Sequence, residues 1–134
     1  VAEHSGKVLD VHYANTAIGT AVIQHDWRGG PNQRFEFVDL GDGTYRIVCL
    51  HSGKCLDVAG AALGAFAEVV QHDWHGGASQ RCRLAAQADG SHGIQALHSG
   101  LHLDVLGVAM HDHAKLIQYV WHGGGNQRFL LVPA

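Results

Sequence analysis

Proline, charge and long apolar runs are all scarce in this sequence. Two prolines against 18 glycines leave the breaking of the chain to glycine, which suits many short strands joined by tight turns. Only 16% of residues are charged, and Lys and Arg total 9 against 12 Asp and Glu with no basic cluster. Without a basic face to neutralise phosphates, nucleic acid is excluded as a partner. No apolar run approaches the length of a bilayer span, which argues against membrane insertion. The three cysteines, Cys49, Cys55 and Cys82, are an odd number, match no zinc spacing and leave the redox compartment open. Apolar residues nevertheless make up 46% of the chain, and 134 residues suit a single domain, residues 1–134, with a real core. The opening Val1, with no Met before it, is compatible with a trimmed leader or a larger polypeptide.

What is present is repetition. His4-Ser5-Gly6-Lys7 returns as His51-Ser52-Gly53-Lys54 and as His98-Ser99-Gly100-Leu101. Leu9-Asp10-Val11 returns as Leu56-Asp57-Val58 and Leu103-Asp104-Val105. Gln24-His25-Asp26-Trp27 becomes Gln71-His72-Asp73-Trp74, then Gln118-Tyr119-Val120-Trp121. Asn32-Gln33-Arg34-Phe35 becomes Ser79-Gln80-Arg81-Cys82, then Asn126-Gln127-Arg128-Phe129. Every offset is 47 residues, with no insertion.

The repeats run approximately over 1–47, 48–94 and 95–134, and three full periods would need seven residues more than the chain has. Val1–His4 lies in register with Val48–His51 and Gln95–His98, so the N-terminal strand is expected to complete the third repeat and close a ring. Each repeat reads as four short strands, near 8–11, 21–25, 34–38 and 44–50 in the first. Hairpin turns are expected at Leu40–Thr44 and around Ser52-Gly53, and two glycines make 59–67 a loop despite its alanines.

A repeat of this length, with Leu-Asp-Val near its start and Asn-Gln-x-aromatic near its end, resembles the (QxW)3 repeat of ricin B-type lectins, shared by family 13 carbohydrate-binding modules. The resemblance covers essentially the whole chain. It implies an all-β fold, the β-trefoil with pseudo-threefold symmetry, and a non-catalytic, multivalent carbohydrate-binding function. Galactose-type glycans are the favoured partners, no cofactor is needed, and action outside the cell or at its surface is favoured. An oligomer is compatible with the reading.

Carried over by position, the implied sugar-binding residues are Asp10, His25, Asn32 and Gln33 in the first repeat. In the second they are Asp57, His72 and Gln80, with Ser79 where Asn is expected. In the third they are Asp104, Tyr119, Asn126 and Gln127. The family's core Trp is replaced by Phe35, Cys82 and Phe129. Its in-repeat disulfide is missing too, with Val8, Cys55 and His102 opposite Trp27, Trp74 and Trp121.

The chemistry suits a hexose. A fixed carboxylate accepts two neighbouring hydroxyl protons, a ring covers the C–H face, and an amide serves the next hydroxyl. Simpler readings stand beside this one. The aspartates are also of the kind that cap turns. The three tryptophans either fill the space of the lost disulfide or extend a stacking platform. The twelve histidines, His111-Asp112-His113 among them, show no repeated ligand set, so no metal site is expected. Nothing in the motifs suggests catalysis. The rival from another class is a protein-binding trefoil, acting through the most divergent loop, 107–115.

Overall fold

Each repeat opens on the same antiparallel pair. In the computed structural model, which describes residues 1–133, β1 (Val8–Val11) pairs with β2 (Val22–His25). Likewise β5 (Cys55–Val58) pairs with β6 (Val69–His72), and β9 (His102–Val105) with β10 (Leu116–Tyr119). The register is identical: Asp10 faces Ile23, Asp57 faces Val70 and Asp104 faces Ile117. Bridges from Ala21 to Val70, Ile23 to Lys115 and Glu68 to Ile117 bring β2, β6 and β10 together about the pseudo-threefold axis.

The second pair of each repeat is a hairpin, β3 (Phe35–Asp39) with β4 (Tyr45–Cys49) and β7 (Cys82–Ala86) with β8 (His92–Ala96). In the third repeat this hairpin shrinks to the bridge from Phe129 to Ala2, while Phe129 also bridges to His92 of the second hairpin as Cys82 does to Tyr45 of the first. Val1 and Leu130 exchange backbone hydrogen bonds at 2.8 and 2.9 Å, so the N-terminal segment does complete the third repeat. The architecture is the β-trefoil. Segment 59–67 is a loop that holds one 3₁₀ turn, Ala59–Ala61.

The strand period puts equivalent apolar residues inward. Val11, Val58 and Val105 form one buried set, and Val22, Val69 and Leu116 another. Phe129 is fully buried, Phe35 only partly, and Cys82 stands in the remaining aromatic position. Phe35 and Phe129, with Ile47 and Ile94, line an apolar cleft of about 780 Å³ beside the chain ends. The cysteines are buried and free. Burial pushes the Cys49 and Cys82 thiols up to about 12, which leaves them unreactive at neutral pH.

Three buried glutamines lash the repeats to one another. Gln24 Nε2 donates to the carbonyls of Ala109 and His111, at 2.8 and 2.9 Å. Gln71 does the same to Asn15 and Ala17, and Gln118 to Ala62 and Gly64. Each Oε1 accepts from the serine of the His-Ser-Gly turn, Ser5, Ser52 or Ser99. The histidines of those turns reach the same loops: His4 meets Ala109 O at 2.7 Å, His51 meets Asn15 O and His98 meets Ala62 O. The repeated His-Ser and Gln residues are therefore structural, and each ties its repeat to the loop of another.

Candidate functional site

Asp10, Asp57 and Asp104 are the penultimate residues of β1, β5 and β9, and each is buried. A buried carboxylate needs donors. In the first repeat, Asn32 Nδ2 donates to Asp10 Oδ1 at 3.0 Å and Gln33 Nε2 to Oδ2 at 2.9 Å. In the third, Asn126 donates to Asp104 Oδ1 at 2.8 Å and Gln127 to Oδ2 at 2.9 Å. The one-turn helices Pro31–Gln33 and Gly125–Gln127 carry these amides to the strand ends. The expected carboxylate and amides are thus brought together twice.

The asparagine differs in role from the expectation. Both hydrogens of the Asn126 amide are committed, one to Asp104 and one to Val105 O at 3.2 Å. Its Oδ1 is buried and unpartnered, and a Cβ on Gly124 would lie 2.8 Å from it. The amide therefore fixes the carboxylate rather than offering a free donor, and Gly124 is glycine because nothing larger fits.

The second repeat lacks this support. Ser79 is too short, and Gln80 donates only to Asp73 O at 2.6 Å. Among the described residues no amide donates to Asp57. Its neighbour is instead an imidazole, His75 Nε2, 3.5 Å from Asp57 Oδ2. His122 holds the same relation to Asp104 in the third repeat, also at 3.5 Å, where Arg28 stands in the first.

The rings come partly from elsewhere. Tyr119 packs on Phe66 of the second repeat, with centroids 5.2 Å apart. His25 packs on His113 of the third repeat at 5.2 Å, and its Nε2 lies 3.5 Å from Asp112 Oδ2. Tyr13, 82% exposed and stacked on His12 at 4.0 Å, stands within 6.2 Å of His113. The sequence reading missed Tyr13, Phe66 and His113.

A shared signal marks the three. Phe66 and His113 both have φ of 72°, at the position that Gly19 holds in the first repeat. Tyr13, with φ of 55°, stands where the other repeats have Gly60 and Gly107. Rings held in the left-handed region cost energy, and such strain gathers at functional positions. The pocket of the second repeat has glycine at both places.

The tryptophans lie apart from these rings, because β2, β6 and β10 end before reaching them. Trp121 packs on His102 at 4.7 Å, filling the space of the lost disulfide. Arg34 lies over Trp27 at 5.6 Å, and Arg46 over Trp74 at 5.1 Å. Burial pushes the Asp104 carboxyl above the usual carboxylate range, against the pull of Gln127, His122 and Asn126.

This combination of trefoil fold and repeated Asp–amide pockets defines a lectin-type domain. The sequence matches the ricin-type beta-trefoil lectin domain-like family over residues 1–72 and again over 46–119. The chain belongs to that family. It is similar to a designed three-fold symmetric protein, ThreeFoil, at 47% identity and a TM-score of 0.99, covering 100% of this chain and 96% of the design. It also resembles part of an exo-beta-1,3-galactanase from Clostridium thermocellum, at 30% identity and a TM-score of 0.97. That match covers 100% of this chain but 29% of the galactanase. The C-half of an earthworm R-type lectin, solved with GalNAc, shares the fold at 22% identity and a TM-score of 0.76, over 96% of this chain and 92% of the lectin. No curated protein sequence matches the chain.

Proposed function

We propose that this protein is a non-catalytic lectin that binds galactose-type glycans through the pockets of its first and third repeats. The observation that carries the reading is the doubly buttressed carboxylate, Asp10 with Asn32 and Gln33, and Asp104 with Asn126 and Gln127. Each oxygen keeps a lone pair for a sugar hydroxyl, and the amides hold it in place before the ligand arrives. Tyr119 with Phe66 supplies an apolar wall in the third repeat, and Tyr13 with His25 and His113 in the first. In the second repeat Asp57 and His72 lack this support, since Gln80 donates to Asp73 O and not to Asp57. The galactose preference draws support from the galactanase, whose name assigns it to β-1,3-galactan.

One such pocket binds with a dissociation constant of about a millimolar, roughly −4 kcal/mol. Two or three on one body gain ~10²–10⁴-fold on a surface dense in glycan, which makes a multivalent target the fitting partner. The test is a glycan array run with the wild-type chain and with the double variant Asp10→Ala, Asp104→Ala. Binding to galactose-terminated glycans that disappears in a variant that still folds supports the lectin. A blank array for the wild type would refute it. Attention would then move to the loop of the third repeat, where Leu106, Val108 and Met110 are exposed as on a protein-binding surface.

A further inference from the structure

The second repeat has lost what its siblings use for a sugar. Its carboxylate, Asp57, is 6% exposed and receives no amide hydrogen, and its pocket has glycine, Gly60 and Gly19, at both ring positions. In exchange it has two imidazoles. Asp57, His72 and His75 each offer a donor atom, and these atoms lie within 4.8 Å of one another. Neither other repeat has this set, since Arg28 replaces His75 in the first and Tyr119 replaces His72 in the third.

We propose that Asp57, His72 and His75 bind a divalent transition-metal ion, of the zinc, nickel or cobalt class, as a two-histidine, one-carboxylate site. A buried carboxylate that receives no amide hydrogen and faces an imidazole nitrogen only at 3.5 Å is a strong acceptor for a cation. Mixed imidazole and carboxylate donors select borderline metals over magnesium or calcium. Donors around a tetrahedral zinc ion stand about 3.3 Å apart, given bonds of about 2.0–2.1 Å. The His75 Nε2 to Asp57 Oδ2 distance of 3.5 Å is already close to that.

His72 is oriented for the role. Its Nδ1–H donates to Asp73 O at 3.1 Å, which leaves Nε2 with its lone pair free, the usual outer support of a metal-bound histidine. His75 has to adjust. Its Nδ1 accepts the Gly77 N–H at 3.0 Å, so ligation through Nε2 moves the ring proton to Nδ1 and breaks that bond. The loop can yield, because His75 is half-exposed and is followed by Gly76 and Gly77. Three protein donors leave the fourth position to water.

The experiment is calorimetric titration of the full chain with zinc chloride and no glycan, repeated with cobalt chloride and monitored by visible absorption. One equivalent is expected, with a tetrahedral cobalt spectrum. His72→Ala and His75→Ala should each weaken binding by ~10²-fold. His122→Ala, the counterpart of His75 in the third repeat, and His113→Ala should leave it unchanged. His75 is half-exposed, so its loss does not threaten folding, and matching circular dichroism checks this. Absence of a stoichiometric site would overturn the proposal. So would binding that survives both His72→Ala and His75→Ala, or that is lost in His113→Ala. Because no sugar enters the measurement, its result is independent of whether the first and third repeats bind glycans.

Discussion

Gln127 Nε2 donates to Asp104 Oδ2 at 2.9 Å while its Oε1 accepts the His122 N–H at 2.8 Å, so one buried amide fixes both the carboxylate and the loop beside it. Asn126 completes the grip on the other carboxylate oxygen. The second repeat shows the effect of a serine in place of that asparagine: Gln80 keeps its loop bond to His75 N at 2.9 Å but no longer reaches Asp57. Asn126→Ser is therefore expected to weaken galactoside binding at the third repeat by ~10-fold and to cost about 1 kcal/mol of stability. Titration with lactose and urea denaturation measure the two effects.

Acid should release the sugar early from the third repeat. In the proposed pocket the Asp104 carboxylate accepts the sugar hydroxyls, and burial raises its protonation range, so affinity there is expected to fall at a higher pH than an ordinary aspartate would dictate. Lactose titrations of Asp10→Ala, which isolate the third pocket from the first, read this between roughly pH 7 and pH 4. Stability is a poor substitute. Above its raised pKa the charged Asp104 costs the fold energy, a cost relieved on acidification. Asp42, Asp89 and Asp112 act in the opposite sense, since hydrogen bonds from Thr44, Ser91 and Lys7 lower their protonation ranges, that of Asp89 to about 2. What they contribute is present above the unfolded pKa and lost as pH falls through the folded one.

Phe66→Gly separates function from stability. The substitution removes the wall beside Tyr119, and sugar binding at the third repeat should weaken several-fold. It also relieves a non-glycine φ of 72°, and that gain of about 1 kcal/mol offsets a lost ring contact worth ~0.5–1.5 kcal/mol. Melting should therefore change little. A large drop in the melting temperature would mean that Phe66 serves the core.

Gln71→Leu should be far more damaging than its distance from the pockets suggests. The change keeps the volume but removes three hydrogen bonds, those of the amide to Asn15 O and Ala17 O and that from the Ser52 hydroxyl, while Asn15 O keeps His51 and Ala17 O keeps Thr20. Each hydrogen bond lost is worth ~0.5–1.5 kcal/mol, so a loss of about 3 kcal/mol is expected in urea denaturation.

The fold was legible because the 47-residue offset repeats both core and polar positions, and Asp10, Asp104, Asn126 and Gln127 fell where the spacing put them. Tyr13, Phe66 and His113 were not legible, because they do not repeat and because Phe66 and His113 act on a neighbouring repeat. Their trace in the sequence is indirect: each replaces a glycine in another copy, at a backbone position that only glycine occupies without strain. The meeting of His75 with Asp57 was hidden for a different reason. Eighteen residues separate them, and only the turn after β6 brings them to one pocket.

The buried glutamines form a cycle: the first repeat grips the loop of the third, the second grips the first, and the third grips the second. A stacked array has end units that fray, but a cycle has none. No repeat can open without releasing a carbonyl pair in another, so the slowest amide protons of all three should exchange at one common rate. For such a molecule, endurance is a property of the closed circuit, and no single repeat possesses a share of it alone.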